Sequence, residues 1–126
     1  MLVTITLRDA ARFGQMMLER GVFKGKRIIP ESYFQSTFDT PFTGHSTSYK
    51  ILGMEEEYKN QVWMIQDANL MYTAGSFGQY IFVDYKNKFA VVFMANWANN
   101  SIQKNLDHML RIVLSVGEHI AKKQKD

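Results

Sequence analysis

Cysteine is absent from this chain of 126 residues. Disulfides, thiolate metal sites and a cysteine nucleophile are thereby excluded, and the redox compartment is not readable. No apolar run approaches the roughly 18 residues that a membrane-crossing helix needs. The opening MLVTITLRD lacks the basic start and apolar core of a signal peptide. Histidine is scarce: His45, His108 and His119 are the three. None stands at ligand spacing from another histidine or a carboxylate pair, so no metal site and no cofactor are expected. Charge of one sign is also scarce. The formal excess is +3, part of it in the tail Lys122, Lys123 and Lys125, which reads as a solvated helix end. Basic residues are not interleaved with aromatics in a nucleic-acid motif, so no nucleic-acid partner is expected. No internal repeat and no low-complexity tract is found.

The residues that are present suit a globular core. Hydrophobic residues make up 46% and charged residues 21%, an ordinary balance that argues against disorder. The length suits one domain or part of one. Thr6 reads as a helix N-cap, with Asp9 three residues on as its acidic partner. Leu7, Ala10, Ala11, Gly14, Met17 and Leu18 follow at helical spacing, and Gly21 is a helix stop. Lys24-Gly25-Lys26 reads as a tight turn into Arg27-Ile28-Ile29. Pro30 starts a short second helix, Glu31 to about Phe38. The run Thr37–Lys50, rich in Thr, Ser and Gly, reads as a long loop of the kind that borders functional sites. Glu55-Glu56-Glu57 reads as a solvated acidic turn.

The segment Leu70–Trp97 is the most informative. It reads as two strands joined by a turn at Asp84–Lys88, the first strand broken by a bend at Gly75 and Gly78. Phe89–Ala95 is rich in β-branched and aromatic residues. Adding a strand over Tyr58–Gln66 and a turn at Asp67-Ala68-Asn69 gives a three-stranded antiparallel meander. Asn99, Asn100 or Ser101 caps a last helix reaching about Lys122. Its apolar stripe is Ile102, Leu106, Met109, Leu110, Val113, Val116, Gly117 and Ile120. The expected fold class is α+β, with N-terminal helices and the long C-terminal helix packed on the sheet.

A search for nucleophiles finds one Ser-x-x-Lys, at Ser101–Lys104. Ile102 belongs to the apolar stripe and helix capping accounts for the serine. Tyr58-Lys59-Asn60 and Tyr85-Lys86-Asn87 both match Tyr-x-Asn. The first reads as a strand start and the second as a hairpin turn. A strand whose backbone N–H groups face a pocket is one way to build an oxyanion hole. From spacing alone, Gly75 and Gly78 read first as a bulged edge strand with no chemistry.

The string Thr6–Leu18, followed by Gly21, Gly25, Lys26 and Ile29-Pro30, resembles a stretch in serine β-lactamase-related hydrolases. These are the class C β-lactamase and penicillin-binding-protein-like esterases and amidases. The string Ala74-Gly75-Ser76-Phe77-Gly78-Gln79-Tyr80-Ile81-Phe82-Val83-Asp84 looks especially like the branch that contains 6-aminohexanoate-dimer hydrolase. The two strings keep the order of that family, and with the final helix the likeness covers nearly the whole chain.

The resemblance implies that residues 1–126 form a single partial domain, the C-terminal part of a β-lactamase/transpeptidase-like fold. The family's Ser-x-x-Lys helix and Tyr-x-Asn loop would lie before Met1. Its third element, usually Lys-Thr-Gly or His-Thr-Gly, stands here as Thr73-Ala74-Gly75, without a titratable first residue. By the same likeness the backbone N–H of Ser76 is one oxyanion donor. Gly78 and Gln79 follow it beside the substrate, and Trp63 either lines an acyl pocket or covers a sheet face. Two function classes result. One is a segment of a hydrolase acting on a small ester or amide, inactive alone because the nucleophile is missing. The other is a non-catalytic binding or assembly module of the same fold. Apolar surface left by the missing partner elements would favour a homo-oligomer.

Overall fold

The computed structural model describes residues 4–39, 46–98 and 102–125. The chain opens with helix α1, Leu7–Leu18, capped as its sequence specifies. The Thr6 hydroxyl accepts from the Asp9 N–H at 3.1 Å and donates to the Asp9 carboxylate at 2.8 Å. The helix ends in a Schellman motif. The Arg20 N–H donates to Met17 O at 3.0 Å and the Gly21 N–H to Met16 O at 2.8 Å. Arg20 therefore holds the first left-handed position, with φ +49°, and Gly21 follows at φ +84°. Glycine is required at 21 because a Cβ there would meet the Ile29 carbonyl oxygen at 2.5 Å.

A small hairpin, β1 (Val22–Phe23) and β2 (Lys26–Arg27), turns at Lys24-Gly25. Pro30 precedes helix α2, Glu31–Phe34, which continues as a π-helical turn over Gln35–Asp39. Arg20 ties this region together. Its guanidinium meets Glu31 and Asp39, each at 2.8 Å, and lies 5.5 Å from the Phe34 ring centre.

The sheet is twice as wide as the sequence predicts. Six strands run in chain order, each antiparallel to the next. They are β3 (Ser46–Ile51), β4 (Met54–Lys59), β5 (Val62–Ile65), β6 (Leu70–Gly75), β7 (Gln79–Asp84) and β8 (Phe89–Met94). The expected three-stranded meander is therefore corrected in three places. The strand expected over Tyr58–Gln66 is the end of β4 plus β5, folded at Asn60-Gln61. The bend at Gly75–Gly78 is a complete hairpin turn, so its flanks β6 and β7 pair from Leu70↔Asp84 to Gly75↔Gln79. The end of the expected loop Thr37–Lys50 is strand β3. The turns Leu52-Gly53 and Asn60-Gln61 have positive φ at both residues, the geometry of tight two-residue hairpins.

Alternation along the strands gives the sheet two apolar faces. One face bears Leu70, Tyr72, Tyr80, Phe82 and Val91 and packs on helix α3, Ile102–Lys123, through Leu106, Met109, Leu110 and Val113. The expected stripe of α3 thus holds at its centre, although Val116 is exposed. The other face bears Met64, Met71 and Val83 and packs on Met17 and Phe34 of α1 and α2. Ala10, Gly14 and Met17 are the buried side of α1, whereas Leu7 is exposed. Glu56 and Glu57, expected in a solvated turn, are buried in β4, and Glu56 accepts a hydrogen bond from the Tyr72 hydroxyl. The expected cap residues Asn99–Ser101 and the loop histidine His45 lie outside the described residues.

Candidate active site

Two cavities open on the α1–α2 side. One, of about 440 Å³, lies near Phe38, Asp39, Gln66, Asn69 and Tyr85. The other, of about 720 Å³, lies at the far end of the sheet and contains Thr73, Ala74, Gly75 and Gln79. The second holds three of the residues singled out from sequence and is the candidate site. Its floor is the end of β6, the start of β7 and the end of β8, where Gly75, Gln79 and Met94 stand side by side in register. Its wall is the start of α1, with Thr4, Ile5, Ala10 and Phe13.

The turn after β6 forms the lip. Ser76 follows Gly75 there and is exposed. Phe77 has φ +61° and is 48% exposed. A non-glycine residue in this left-handed region costs roughly 1–2 kcal/mol. The turn is held against that cost by two hydrogen bonds from the segment after β8. The Ala95 N–H donates to Gly78 O and the Trp97 N–H to Phe77 O, both at 3.1 Å. Gly78, at φ +98°, lets Trp97 come so close that a Cβ there would overlap its ring at 2.8 Å.

Gln79 is fixed as well. Its side-chain amide donates to the Ala95 carbonyl. Its stem lies against Gly75, where a Cβ would stand 2.9 Å from the Gln79 Cβ. Glycine at 75 therefore makes room for Gln79, and the two together set the backbone just before Ser76.

Trp63 is elsewhere. It pairs with Tyr72, whose side chain points to the α3 face, stacks on the Tyr72 ring with centroids 6.1 Å apart, and meets the Tyr58 ring at a tilt of 48° with centroids 4.8 Å apart. It does not line the groove. Gly78 likewise acts behind the lip rather than in the groove. The sequence reading did not single out Ile5, Phe13, Val92 and Met94, which do line it. Phe13 shares a face with Ala10 and Met17 by helical spacing, which is the signal that could have found it.

None of the described residues lining the groove carries a charge. Tyr80 is the one titratable residue among them, but its ring packs in the cluster on the α3 face, where burial pushes its phenol above the ordinary tyrosine range. A neutral, buried phenol is a poor base near neutral pH. The groove can bind an apolar group. Its lining does not supply a nucleophile with an adjacent base. Ser101, the serine of the Ser-x-x-Lys string, lies outside the described residues. No group of His, Asp and Glu able to hold a metal occurs among the described residues.

A scan of protein-family models and a search of curated proteins both found no match. A search of solved structures found the putative 6-aminohexanoate-dimer hydrolase from Bacillus anthracis, with a TM-score of 0.71 and 26% sequence identity. The fold is similar to part of a β-lactamase-fold serine hydrolase. The match covers 93% of this chain and 29% of that one. The chain thus spans less than a third of the hydrolase it resembles.

Proposed function

We propose that this chain supplies one side of a serine-hydrolase site acting on small esters or amides. In this reading the Ser76 N–H is an oxyanion donor, Thr73 and Gly75 form the strand beside the scissile bond, and the apolar groove takes the acyl group. Gln79 holds the strand and the lip in place. The nucleophile, its base and the second oxyanion donor come from the portion of such a hydrolase that this chain does not span. Acyl transfer needs all of these held together, so the chain alone has no turnover.

The observation that carries the reading is the position of Thr73–Gly75. They lie in the floor of a large apolar groove, and Ser76 follows Gly75 in the turn at an exposed position. The uncharged lining also favours a second reading, a non-catalytic binding module that uses the same groove. A fluorophosphonate separates activity from binding. After incubation, the intact mass of this chain is expected to be unchanged, and a stoichiometric adduct would overturn the proposal. Titration with N-butylacetamide, an inert short-chain amide, is expected to shift the backbone amide resonances of Thr73–Gln79. Shifts confined to other regions would remove the groove from consideration.

A further inference from the structure

The turn between β6 and β7 is a strained way to close a hairpin. Tight turns without strain put glycine or asparagine at their left-handed positions. Here Phe77 takes φ +61° beside Gly78 at φ +98°. Residues in such conformations persist only where their surroundings over-determine them, and they gather at functional sites. The surroundings here are one short segment, Ala95–Trp97, that runs on from β8. The Ala95 N–H holds Gly78 O and the Trp97 N–H holds Phe77 O. The Ala95 carbonyl accepts from the Gln79 side-chain amide. The turn is thus clasped by hydrogen bonds from outside its own hairpin.

The indole completes the clasp. A Cβ at Gly78 would stand 2.8 and 2.9 Å from the two fusion carbons of the Trp97 ring, so the ring sits directly against the Gly78 backbone. The ring also meets Tyr80, with centroids 5.7 Å apart at a tilt of 40°. Tyr80 is buried in the cluster that packs on α3, and Trp97 packs against the same cluster. The clasp is therefore anchored in the core on the α3 side of the sheet. Trp97 is not among the described residues that line the groove. Met94, which pairs with Gln79, does line it. Groove floor and clasp are consecutive stretches of one strand and its continuation.

We propose that Trp97 is a positioning residue. It fixes the turn from the side away from the groove and so sets the direction of the Ser76 N–H. The proposal rests on the reading of Ser76 as an oxyanion donor. Such a donor is effective only when it already points to where the oxyanion will stand. A turn that carries a strained aromatic keeps one orientation only while it is braced. The Trp97 N–H orients the peptide between Phe77 and Gly78, and its ring covers Gly78, the residue of the turn with the widest backbone freedom. Gln79 braces the other end through its stem against Gly75. Ser76 is therefore held through the residue before it and the residue after it. Trp97 acts through Phe77 and Gly78 and takes no part in contacting substrate.

Trp97→Ala and Trp97→Phe in the full chain test this, with N-butylacetamide as the probe. In the wild type, NMR relaxation is expected to find the turn as rigid as β6, although Ser76 and Phe77 are exposed. Saturation with the probe is expected to move the Ser76 amide proton downfield, as a new hydrogen bond does. Trp97→Ala is expected to keep the far-ultraviolet circular dichroism, loosen the turn and abolish the Ser76 shift. It should weaken the probe about two- to tenfold, the worth of one hydrogen bond, while the methyl shifts of Ile81 and Val92 in the groove remain. Trp97→Phe keeps a ring beside Gly78 and is expected to restore the Ser76 shift, which a loss of general packing would not predict. A rigid turn with an undiminished Ser76 shift in Trp97→Ala would overturn the positioning role and leave the proposed function standing. A wild-type Ser76 amide that does not respond to the probe would overturn the oxyanion reading and this proposal with it. A turn already mobile in the wild type would overturn the brace without any variant.

Discussion

Replacing Gly117 with alanine tests how α3 is seated on the sheet. In an unconstrained helix the change is favourable by about 1 kcal/mol, because glycine loses more backbone freedom than alanine on folding. The surroundings of Gly117 reverse the sign. A Cβ there would stand 2.6 Å from the Asn87 amide nitrogen and 2.9 Å from an Asp84 carboxylate oxygen. Those two atoms are hydrogen-bonded to each other at 2.8 Å, and the Asn87 N–H holds the second carboxylate oxygen, also at 2.8 Å. Asp84 is only 1% exposed, so displacing Asn87 strips a partner from a buried carboxylate. A hydrogen bond to a charged group contributes about 1.5–3 kcal/mol. Lifting α3 away instead disturbs the packing of Leu110 and Val113, at about 1–3 kcal/mol. After the helical gain, the net loss by way of Asn87 is about 0.5–2 kcal/mol. For a chain of this size that lowers Tm by roughly 2–10 °C.

Gly14→Ala is the internal comparison. It is also a helical glycine facing the sheet, but its Cβ would meet only methyl groups of Ile81 and Ala90, at 3.1 and 3.2 Å. Small shifts absorb that contact, and the variant is expected within about 1 kcal/mol of wild type. Urea unfolding followed by circular dichroism measures both, with an unchanged slope showing that the folded and unfolded states remain comparable. Asn87→Ala removes the nearest colliding atom, so the loss from Gly117→Ala should shrink in that background. A Gly117→Ala chain as stable as wild type would refute the reasoning. So would a loss that Asn87→Ala leaves untouched.

Two further outcomes follow from other groups. Thr6→Ala removes the cap of α1 and should cost about 1 kcal/mol, read by the same urea titration. The Thr6 hydroxyl, and after it Arg12, hold the Asp9 carboxyl below the usual aspartate range. A depressed folded pKa contributes stability that is present above the unfolded value near 4 and is lost as pH falls through the folded value. Thr6→Ala should therefore move the Asp9 titration, followed by NMR, upward toward ordinary aspartate. Burial likewise pushes the phenols of Tyr33, Tyr80 and Tyr85 above the ordinary range, Tyr85 furthest. Their contribution is fully present below about pH 10, the unfolded value, and is lost from there up through the higher folded values. Absorbance at the phenolate band should show these three ionising late, and normal titration of all six tyrosines would contradict the burial described for them.

Parts of this architecture are legible in the residues and parts are not, for physical reasons. Helix α1 is announced by a capping pair and a glycine stop, which are local hydrogen-bonding signals and need no tertiary context. The one-residue displacement of its stop arises because Arg20 tolerates φ +49° while its guanidinium is held by Glu31 and Asp39. The centre of α3 is legible because its period is long and regular. The sheet is under-read where its turns lack their usual residues. Asn60-Gln61 closes a tight hairpin with no glycine, so the apolar periodicity on both sides runs together. Ser76-Phe77-Gly78 carries a bulky aromatic at a left-handed position, and a bend is the natural reading until the pairing of β6 with β7 is seen. β3 hides in a Ser/Thr-rich run because an edge strand needs little apolar character. Of the candidate site, the strand Thr73–Gly75 and Gln79 are placed together in the groove. On the opposite wall, helical spacing places Phe13 with Ala10 and Met17, whereas Ile5 precedes the helix and its place depends on where α1 lands on the sheet.

The unbroken succession of neighbours in the sheet has a kinetic consequence. Each strand pairs with the one that follows it, so every ladder closes across a turn of a few residues and no distant segment must first be found. Such local closure has a small entropic cost and favours rapid formation. The six strands can zip up one hairpin after another as the chain emerges, leaving only the two helical layers to settle onto a sheet that already exists.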